Sequence, residues 1–433
     1  MKPGITRQDV GVVLGRSAIP IGKLSFNKDG ARASSAFAYQ HSWLASADRF
    51  EISPDLPLVD GHQFRKASTR EDSTFHLAFA DTEPDGWGCR VIARDHAKRR
   101  RAAQLAGEPA PGAALTEMDY LLGVDDVSRV GALRLVDAEN RFLRAGDHDG
   151  RGAPPLFELS HLIGASRAVE LNKETEADLK YLLGKGTSLG GMRPKCTVRD
   201  NDGHLAIGKF PSVQDDRCVT RGEVLALRLA AAAGITVADA RIVMSEDVPV
   251  ALVRRFDRVA PDARIPYLSA ASMLQASRTN DHAYTQIADA IVARCADPRR
   301  DLEELWRRLV FNLLITNVDD HLRNHGFLHV GHGQWRLAPA FDINPFPDKD
   351  PELKLWLNEA DGPVDSIDAV MNEAAYFRLN DTSRKRILAQ VVRAVGSWRR
   401  VAQSAEVGMS AREADAFEPA FDNTQMRRAM TLV

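Results

Sequence analysis

The stretch GKGTSLGGMRPKCTVRDNDGHLAIGKFP, residues 184–211, constrains the fold of this chain more than any other. Before it, residues 156–183 show helical patterning; within it, glycine-rich turns and short extended runs take over. After it, the pattern predicts a helix from about Arg221 to Ala233, with Glu223 in its first turn and Gly234 as the stop. Strand VPVALVRRF follows at 248–256. A chain of 433 residues is too long for one hydrophobic core, since domains usually run ~100 to 200 residues, so two or three packed units are expected.

The flanking regions differ in kind. From Val10 to about Leu58, runs such as VGVVLG and IPIGKLSF, punctuated by Gly, Asp and Pro, predict a small β-rich layer. A basic helical stretch holds Arg94, Lys98, Arg99, Arg100 and Arg101, a charge run expected to be a solvated helix face, and the Gly/Ala/Pro-rich link LAGEPAPGAA follows at 105–114. Thr116 with Asp119 has the pattern of a helix start, and GALRLVD at 131–137 reads as a strand. Beyond about Ile265 the reading is mainly helical: Tyr284, Ile287 and Ile291 share a face, as do Leu302, Leu305 and Leu309. Ile367, Val370, Met371, Ala374 and Phe377 repeat the pattern. One interruption, GFLHVGHGQWRLAPAFD at 326–342, reads as a β-hairpin turning at Gly331, His332 and Gly333. The expected division is an α+β unit over 1–152, a strand-rich unit over 153–264 and a helical unit over 265–433.

Charge and cysteines narrow the class. Lys plus Arg number 57 against 59 Asp plus Glu, a formal charge of -2, so there is no overall basic field to draw nucleic acid. Any DNA contact would need a local patch or a partner. No uninterrupted apolar run approaches the ~18 residues of a membrane span, and MKPGITRQDVGVV lacks the apolar stretch of a secretory signal, so a cytoplasmic address is expected. Cys89, Cys196, Cys218 and Cys295 are far apart and include no CxxC pair, which predicts reduced thiols.

The richest segment chemically is NVDDHLRNHGFL, set between an apolar helix and the predicted hairpin, with Asp342 leaving the hairpin's far end. Asp319 and Asn324 are five apart, the spacing of the HRDxxxxN catalytic loop of protein kinases, and a second Asp after a hairpin is where those enzymes hold Mg²⁺. Phosphoryl transfer needs an acceptor-only group near the attacking hydroxyl and oxygen ligands for a hard cation; Asp319, Asn324 and Asp342 have that chemistry. A lone DxxxxN is usually only a loop, but three features agree with it. Lys209, in a chain with only 13 lysines, lies on an apolar strand beside Leu205 and Ile207, where an ammonium needs an anionic partner. Glu223 follows in the chain order of the kinase glutamate that orients such a lysine, although the helix dipole explains a first-turn Glu equally well. Gly184, Gly186, Gly190 and Gly191, with Lys195, suit a loop that covers phosphates, and the spacing is not that of a Walker A loop.

Together these segments resemble the HipA-type serine/threonine kinase toxins of bacterial type II toxin–antitoxin systems. The resemblance runs through ISPDLPL (52–58), DTEPDGWG (81–88) and VGALRL (130–135), then SLGGMRPK (188–195), RRFDR (254–258), DDHLRNH (319–325) and AFDINPFP (340–347). It implies a two-lobed protein-kinase-like core, a mainly helical C-terminal lobe and an appended N-terminal α+β subdomain. It also implies ATP and Mg²⁺ as cofactors, with Asp319 as catalytic base and Asn324 and Asp342 as magnesium ligands. Lys209 would meet the ATP phosphates, and Gly190, Gly191, Met192, Arg193 and Lys195 would form the phosphate loop. Arg254 and Phe256 correspond to the adenine-binding hinge, Arg254 replacing an acidic residue of some relatives, and His321 joins the cofactor-binding set. Ser188 matches a loop serine that the family autophosphorylates, with Thr187 a competing acceptor. Asp320 stands where the family often has glycine, which leaves Asp319 and Asp320 as rivals for the base. The implied partners are a protein substrate such as an aminoacyl-tRNA synthetase, a helix-turn-helix antitoxin of HipB type, operator DNA through that antitoxin, and no membrane.

Three other readings compete. His321, His325, His329 and His332 crowd into twelve residues and suggest a metal-dependent hydrolase or nuclease, but they run from a loop into a predicted hairpin that would point them apart. A catalytically inactive kinase-like subunit acting as a repressor with the antitoxin would not need Lys209, Asp319, Asn324 and Asp342 together. Phosphorylation of a small molecule would use the same core.

Overall fold

The computed structural model describes residues 6–69, 71–112, 114–145, 152–184, 191–260, 263–277 and 279–433. The chain clusters into two compact units, Met1–Val213 with Asp257–Leu268, and Gln214–Phe256 with Ser269–Val433.

In the first unit, strands β1 (Thr6–Leu14), β2 (Ile19–Asp29), β3 (Arg32–Tyr39), β4 (Gln63–Arg65) and β5 (Leu133–Val136) form an antiparallel sheet of order β4-β3-β2-β1-β5. Alternation drives it: Val10 and Val12 of β1 and Leu24 and Phe26 of β2 are buried. A bulge between Val12 and Val13 breaks that alternation, which is how consecutive valines are both buried. The extended region ends at Tyr39, short of the expected Leu58; His41–Leu44 is a helical turn and the residues from there to Leu58 are turns, bends and irregular structure. The basic stretch is the helix Gly86–Ala106, which buries Trp87, Val91 and Ile92 and stops at Gly107 with φ 68°. Its charges do pair: Arg94 donates to Glu174 at 3.0 Å and Arg99 to Asp95 at 2.6 Å. Thr116 and Asp119 form the expected reciprocal capping box.

Helices Leu159–Glu170 and Glu176–Gly184 follow, then a hairpin of β6 (Lys195–Arg199) and β7 (Leu205–Lys209), anchored by the Arg199 amide donating to the Pro154 carbonyl at 2.7 Å. Segment Asp257–Leu268 is fastened within the same unit by charge-assisted bonds. Arg258 donates to the Arg129 carbonyl at 2.8 Å and to Asp257 at 2.7 Å, and Arg264 donates to the Asp126 carboxylate at 3.0 Å.

The second unit opens with helix Val219–Ala232, and here the sequence reading needs correcting. Glu223 is the helix's fifth residue, past its first turn, and it is buried; the helix dipole therefore does not explain it. Strands β8 (Ala240–Ser245) and β9 (Val248–Arg254) pair as a hairpin. The helical core is built on Tyr284–Arg294 and Pro298–Leu314, whose stripes of Tyr284, Ile287, Ile291, Leu302, Leu305 and Leu309 are fully buried as expected. The predicted hairpin is present as Gly326–Gly331 and Gln334–Leu337, with His332 in a left-handed turn conformation. The Ile367–Phe377 stripe is not one helix: α-helical geometry ends at Asn372 and a 3-10 turn carries Ala374 inward. Among the described residues, no helix is long and apolar enough to cross a membrane.

Candidate active site

In the second unit, the site begins where helix Pro298–Leu314 ends. Thr316, buried and at φ 54°, turns the chain out of the helix; its hydroxyl donates to the Ala420 carbonyl at 3.0 Å and accepts from the Asn423 amide at 3.1 Å. Asn317 then works in two directions. Its amide nitrogen donates to Asn312 at 3.2 Å, and its carbonyl oxygen accepts from the Asn344 backbone at 3.2 Å. With the Phe346 amide donating to the Thr316 carbonyl at 3.1 Å, the loop bearing Asp319 and the segment bearing Asp342 are stitched into one piece.

Within the loop, the Asn324 side-chain nitrogen donates to the Asp319 carbonyl at 3.2 Å, five positions back, closing the loop on itself. The oxygen of the same amide is the atom suited to a hard cation. Asp342 is half-buried at φ 54°, a costly conformation for a non-glycine residue, and accepts from Asn344 at 3.3 Å. Just before it, Ala340 is bound on both sides by residues 236–238, its amide donating to the Thr236 carbonyl at 2.8 Å and its carbonyl accepting from the Ala238 amide at 2.9 Å. The Phe341 ring lies 5.3 Å from that of Phe256. The expected hinge residue therefore packs on the residue just before the expected metal ligand. Arg254, half-buried at the end of β9, donates its amide to the Asp239 carbonyl at 2.8 Å.

Adjacent carboxylates meet opposite surroundings. Asp320 is buried, 2% exposed, between the Tyr284 hydroxyl and His325 Nε2 at 2.9 Å. Burial opposes its ionisation, but the His325 imidazole and the two hydrogen bonds win and hold the carboxyl below its usual range. Burial, joined by the Asp320 charge, pushes the Tyr284 phenol far up, so it stays a donor. The Asp319 side chain is 51% exposed and pairs with Lys354. Of the two, Asp319 is the one open to solvent. His321, half-buried at the start of the 3-10 turn Leu322–Asn324, keeps its Nδ1 buried with no hydrogen-bond partner among the described residues. An orphaned polar atom beside the loop fits a site shaped for a polar ligand.

The histidine cluster disperses. His325 serves Asp320, His329 packs against Trp335 with ring centroids 5.3 Å apart, and His332 is exposed in the hairpin turn. Burial, with the neighbouring His332, lowers the His329 pKa to about 4. Among the described residues, no three His, Cys, Asp or Glu side chains gather to hold a metal by themselves. A magnesium site needs less, because that ion is usually held by one or two protein oxygens plus substrate phosphates and water; Asn324 and Asp342 fit that donor set.

In the first unit, two cations share one face of a hairpin. Lys195 and Lys209 are direct partners in the β6–β7 ladder, so both side chains leave the same face of the hairpin. Like charges directly opposite are destabilising without anions. One anion is within the unit: Asp85 lies 3.5 Å from the Lys195 ammonium, and both side chains are nearly buried, 6% and 5% exposed. Asp85 also caps helix Gly86–Ala106, accepting from the Gly88 amide at 2.7 Å. The Trp87 amide donates to the Gly191 carbonyl at 3.2 Å, and Gly191 sits at φ 90° with the Lys195 ammonium 3.0 Å from where a Cβ would be. Met192 is exposed beside Gly86 and Arg193 is half-buried. Lys209 is half-buried at the end of β7. Thr187, Ser188 and Gly190 lie outside the described residues.

Sequence reasoning missed Asp85, Tyr284, Asn317 and Lys354. Only Asp85 left a signal, as the residue before a glycine-led helix in DTEPDGWG.

The chain matches two protein families: the HipA N-terminal domain over residues 12–107 and the HipA-like C-terminal domain over residues 187–399. It is 26% identical over 352 residues to a putative kinase, Y4mE, of Sinorhizobium fredii, spanning 75% of this chain and 76% of that protein. A shorter match, 32% identical over 68 residues, is to a putative kinase of Haemophilus influenzae and spans 15% of this chain and 20% of that protein. Among solved structures, HipA of Shewanella oneidensis MR-1, in complex with HipB and operator DNA, superposes with a TM-score of 0.66. That match covers 97% of this chain and 96% of that one at 18% identity, a likeness of fold.

Proposed function

The chain belongs to the HipA family of kinase-like toxins, and from that premise we propose that it is an ATP- and magnesium-dependent protein serine/threonine kinase. The observation that carries the proposal is the division of labour between adjacent carboxylates, Asp320 committed to buried structural bonds and Asp319 held half-exposed on a loop closed by Asn324 and stitched to the Asp342 segment. Phosphoryl transfer asks little covalent chemistry of a protein; it asks for positioning and for compensation of charge.

In this reading Asp319 accepts the proton of the attacking hydroxyl, and Asn324 and Asp342 hold magnesium. The ion, when bound, neutralises phosphate charge. Lys209, with Lys195 opposite it, faces the nucleotide phosphates, and Phe256, set against Phe341, offers an apolar surface to adenine. Gly190 to Arg193 complete the phosphate loop, His321 lies with the cofactor-binding residues and Arg254 closes the hinge. Ser188, or the adjacent Thr187, is the autophosphorylation site; a phosphate there would add ~ -1.5 to -2 charges to the segment that precedes Lys195 in the chain. By analogy with the Shewanella complex, an antitoxin of HipB type is the partner and operator DNA is reached through it; the substrate, on the family resemblance, is a protein such as an aminoacyl-tRNA synthetase.

The test is incubation of the purified chain with γ-labelled ATP and a bacterial extract, with and without Mg²⁺, followed by mapping of labelled residues. Label on serine or threonine that requires Mg²⁺ supports the proposal; ATP left intact under all conditions removes it.

A further inference from the structure

Lys354 has no counterpart in the motifs that suggest a kinase, yet it is the side chain paired with Asp319. Its backbone is held from two sides. The Lys354 amide donates to the Val318 carbonyl at 3.2 Å, beside Asp319 itself, and the neighbouring Leu353 amide donates to the Val364 carbonyl at 2.9 Å. The run Leu353, Lys354, Leu355 alternates in the manner of a strand, with both leucines buried and the lysine outward. The ammonium is thus delivered to the catalytic loop by a fixed backbone.

Stability does not explain such a placement. The two side chains are 63% and 51% exposed, and pairs of that kind contribute between nothing and ~1 kcal/mol. An exposed pair does have another property: an incoming anion can insert into it without stranding a buried charge. The group that must approach Asp319 during the proposed reaction is a phosphoryl group, whose charge spreads over three oxygens as it transfers.

Resting on the kinase reading, we propose that Lys354 is a catalytic cation: at rest it holds the Asp319 carboxylate, and during transfer its ammonium binds the oxygens of the γ-phosphoryl group. In the step, the bond from phosphorus to the bridging oxygen of ADP breaks and ADP leaves with the electron pair. A bond forms from the acceptor hydroxyl oxygen to phosphorus, and the hydroxyl proton passes to the Asp319 carboxylate. Lys354 gains its interaction chiefly as charge develops, so its contribution appears in kcat rather than in ATP binding.

The experiment compares the full chain with Lys354→Met and Lys354→Arg, reading magnesium-dependent ADP formation from ATP, the KM for ATP, ATP affinity by titration, and the thermal midpoint. Expected for Lys354→Met is a fall in kcat on the order of 10²-fold, with KM, ATP affinity and midpoint nearly unchanged, and for Lys354→Arg recovery of most of the loss. An unchanged kcat, a loss confined to KM, or a rise in kcat showing that Lys354 only masks Asp319 would each overturn the inference and leave the kinase reading standing. Wild-type turnover that survives Asp319→Asn would instead defeat the kinase reading, and the inference with it.

Discussion

Lys195–Asp85 in the first unit and Lys354–Asp319 in the second use the same chemistry at opposite exposures. Lys195–Asp85 is nearly buried, beside Gly191 and at the cap of helix Gly86–Ala106. Lys354–Asp319 stands half in solvent on the loop closed by Asn324. A buried pair cannot open without leaving a charge in a poorly solvated place, so it acts as a fixed strut; an exposed pair opens cheaply and is free to exchange partners. The same contrast recurs one residue apart, with Asp320 locked and Asp319 accessible.

The largest expected effect lies on the exposed side. Asp319→Asn should lower phosphotransfer about 10³-fold with an unchanged circular-dichroism spectrum and thermal midpoint, whereas Asp320→Asn should chiefly lower the midpoint. Comparable activity losses without destabilisation in both variants would erase the distinction between the two carboxylates.

On the buried side the effect should be on folding. Asp85→Ala leaves the Lys195 charge without this partner and should cost about 3–5 kcal/mol in denaturant titration, against less than ~1 kcal/mol for Lys354→Met. Replacing both members of the buried pair, Asp85→Leu with Lys195→Met, should recover much of that stability without restoring ATP binding. Equal costs for the two single variants would show that burial does not separate the pairs.

How far these features could be read from the chain follows the range of the forces involved. The capping box at Thr116, the basic helix, the strands of residues 133–136 and 248–254 and the hairpin after Gly326 depend on neighbours a few residues away, and the sequence reading located them. The Asn324 bond that closes the loop on Asp319 spans five positions and is local in the same way. Partners distant in sequence were not: Tyr284 meets Asp320 across 36 positions and Lys354 meets Asp319 across 35. Burial of Glu223 and the early end of the extended region at Tyr39 are likewise set by tertiary packing, which local patterning does not encode.

The smallest effects should appear as opposite pH slopes in the two units. Burial raises the Asp125 carboxyl to about 6 in the first unit, above its unfolded value of ~3.9, so stability present at low pH is lost as pH rises from about 4 to 6, by at most about 3 kcal/mol. In the second unit, burial and His332 lower His329 to about 4, below the unfolded ~6.5, so protonation favours the unfolded chain. Stability there is present above about pH 6.5 and lost as pH falls toward 4, by no more than ~1–2 kcal/mol once solvent screening of a partly exposed ring is allowed for. Denaturant midpoints of Asp125→Asn and His329→Phe across pH 4–7 should flatten one slope each; parallel shifts from both variants would contradict the assignment.

The most direct measurement is transfer of the γ-phosphate of labelled ATP by the full chain and by its Lys209→Met, Asp319→Asn and Asp342→Asn variants, each checked for native folding. The proposed function requires that every one of the three substitutions abolish magnesium-dependent labelling of serine or threonine. Wild-type labelling that persists in folded Lys209→Met or Asp319→Asn would contradict that claim.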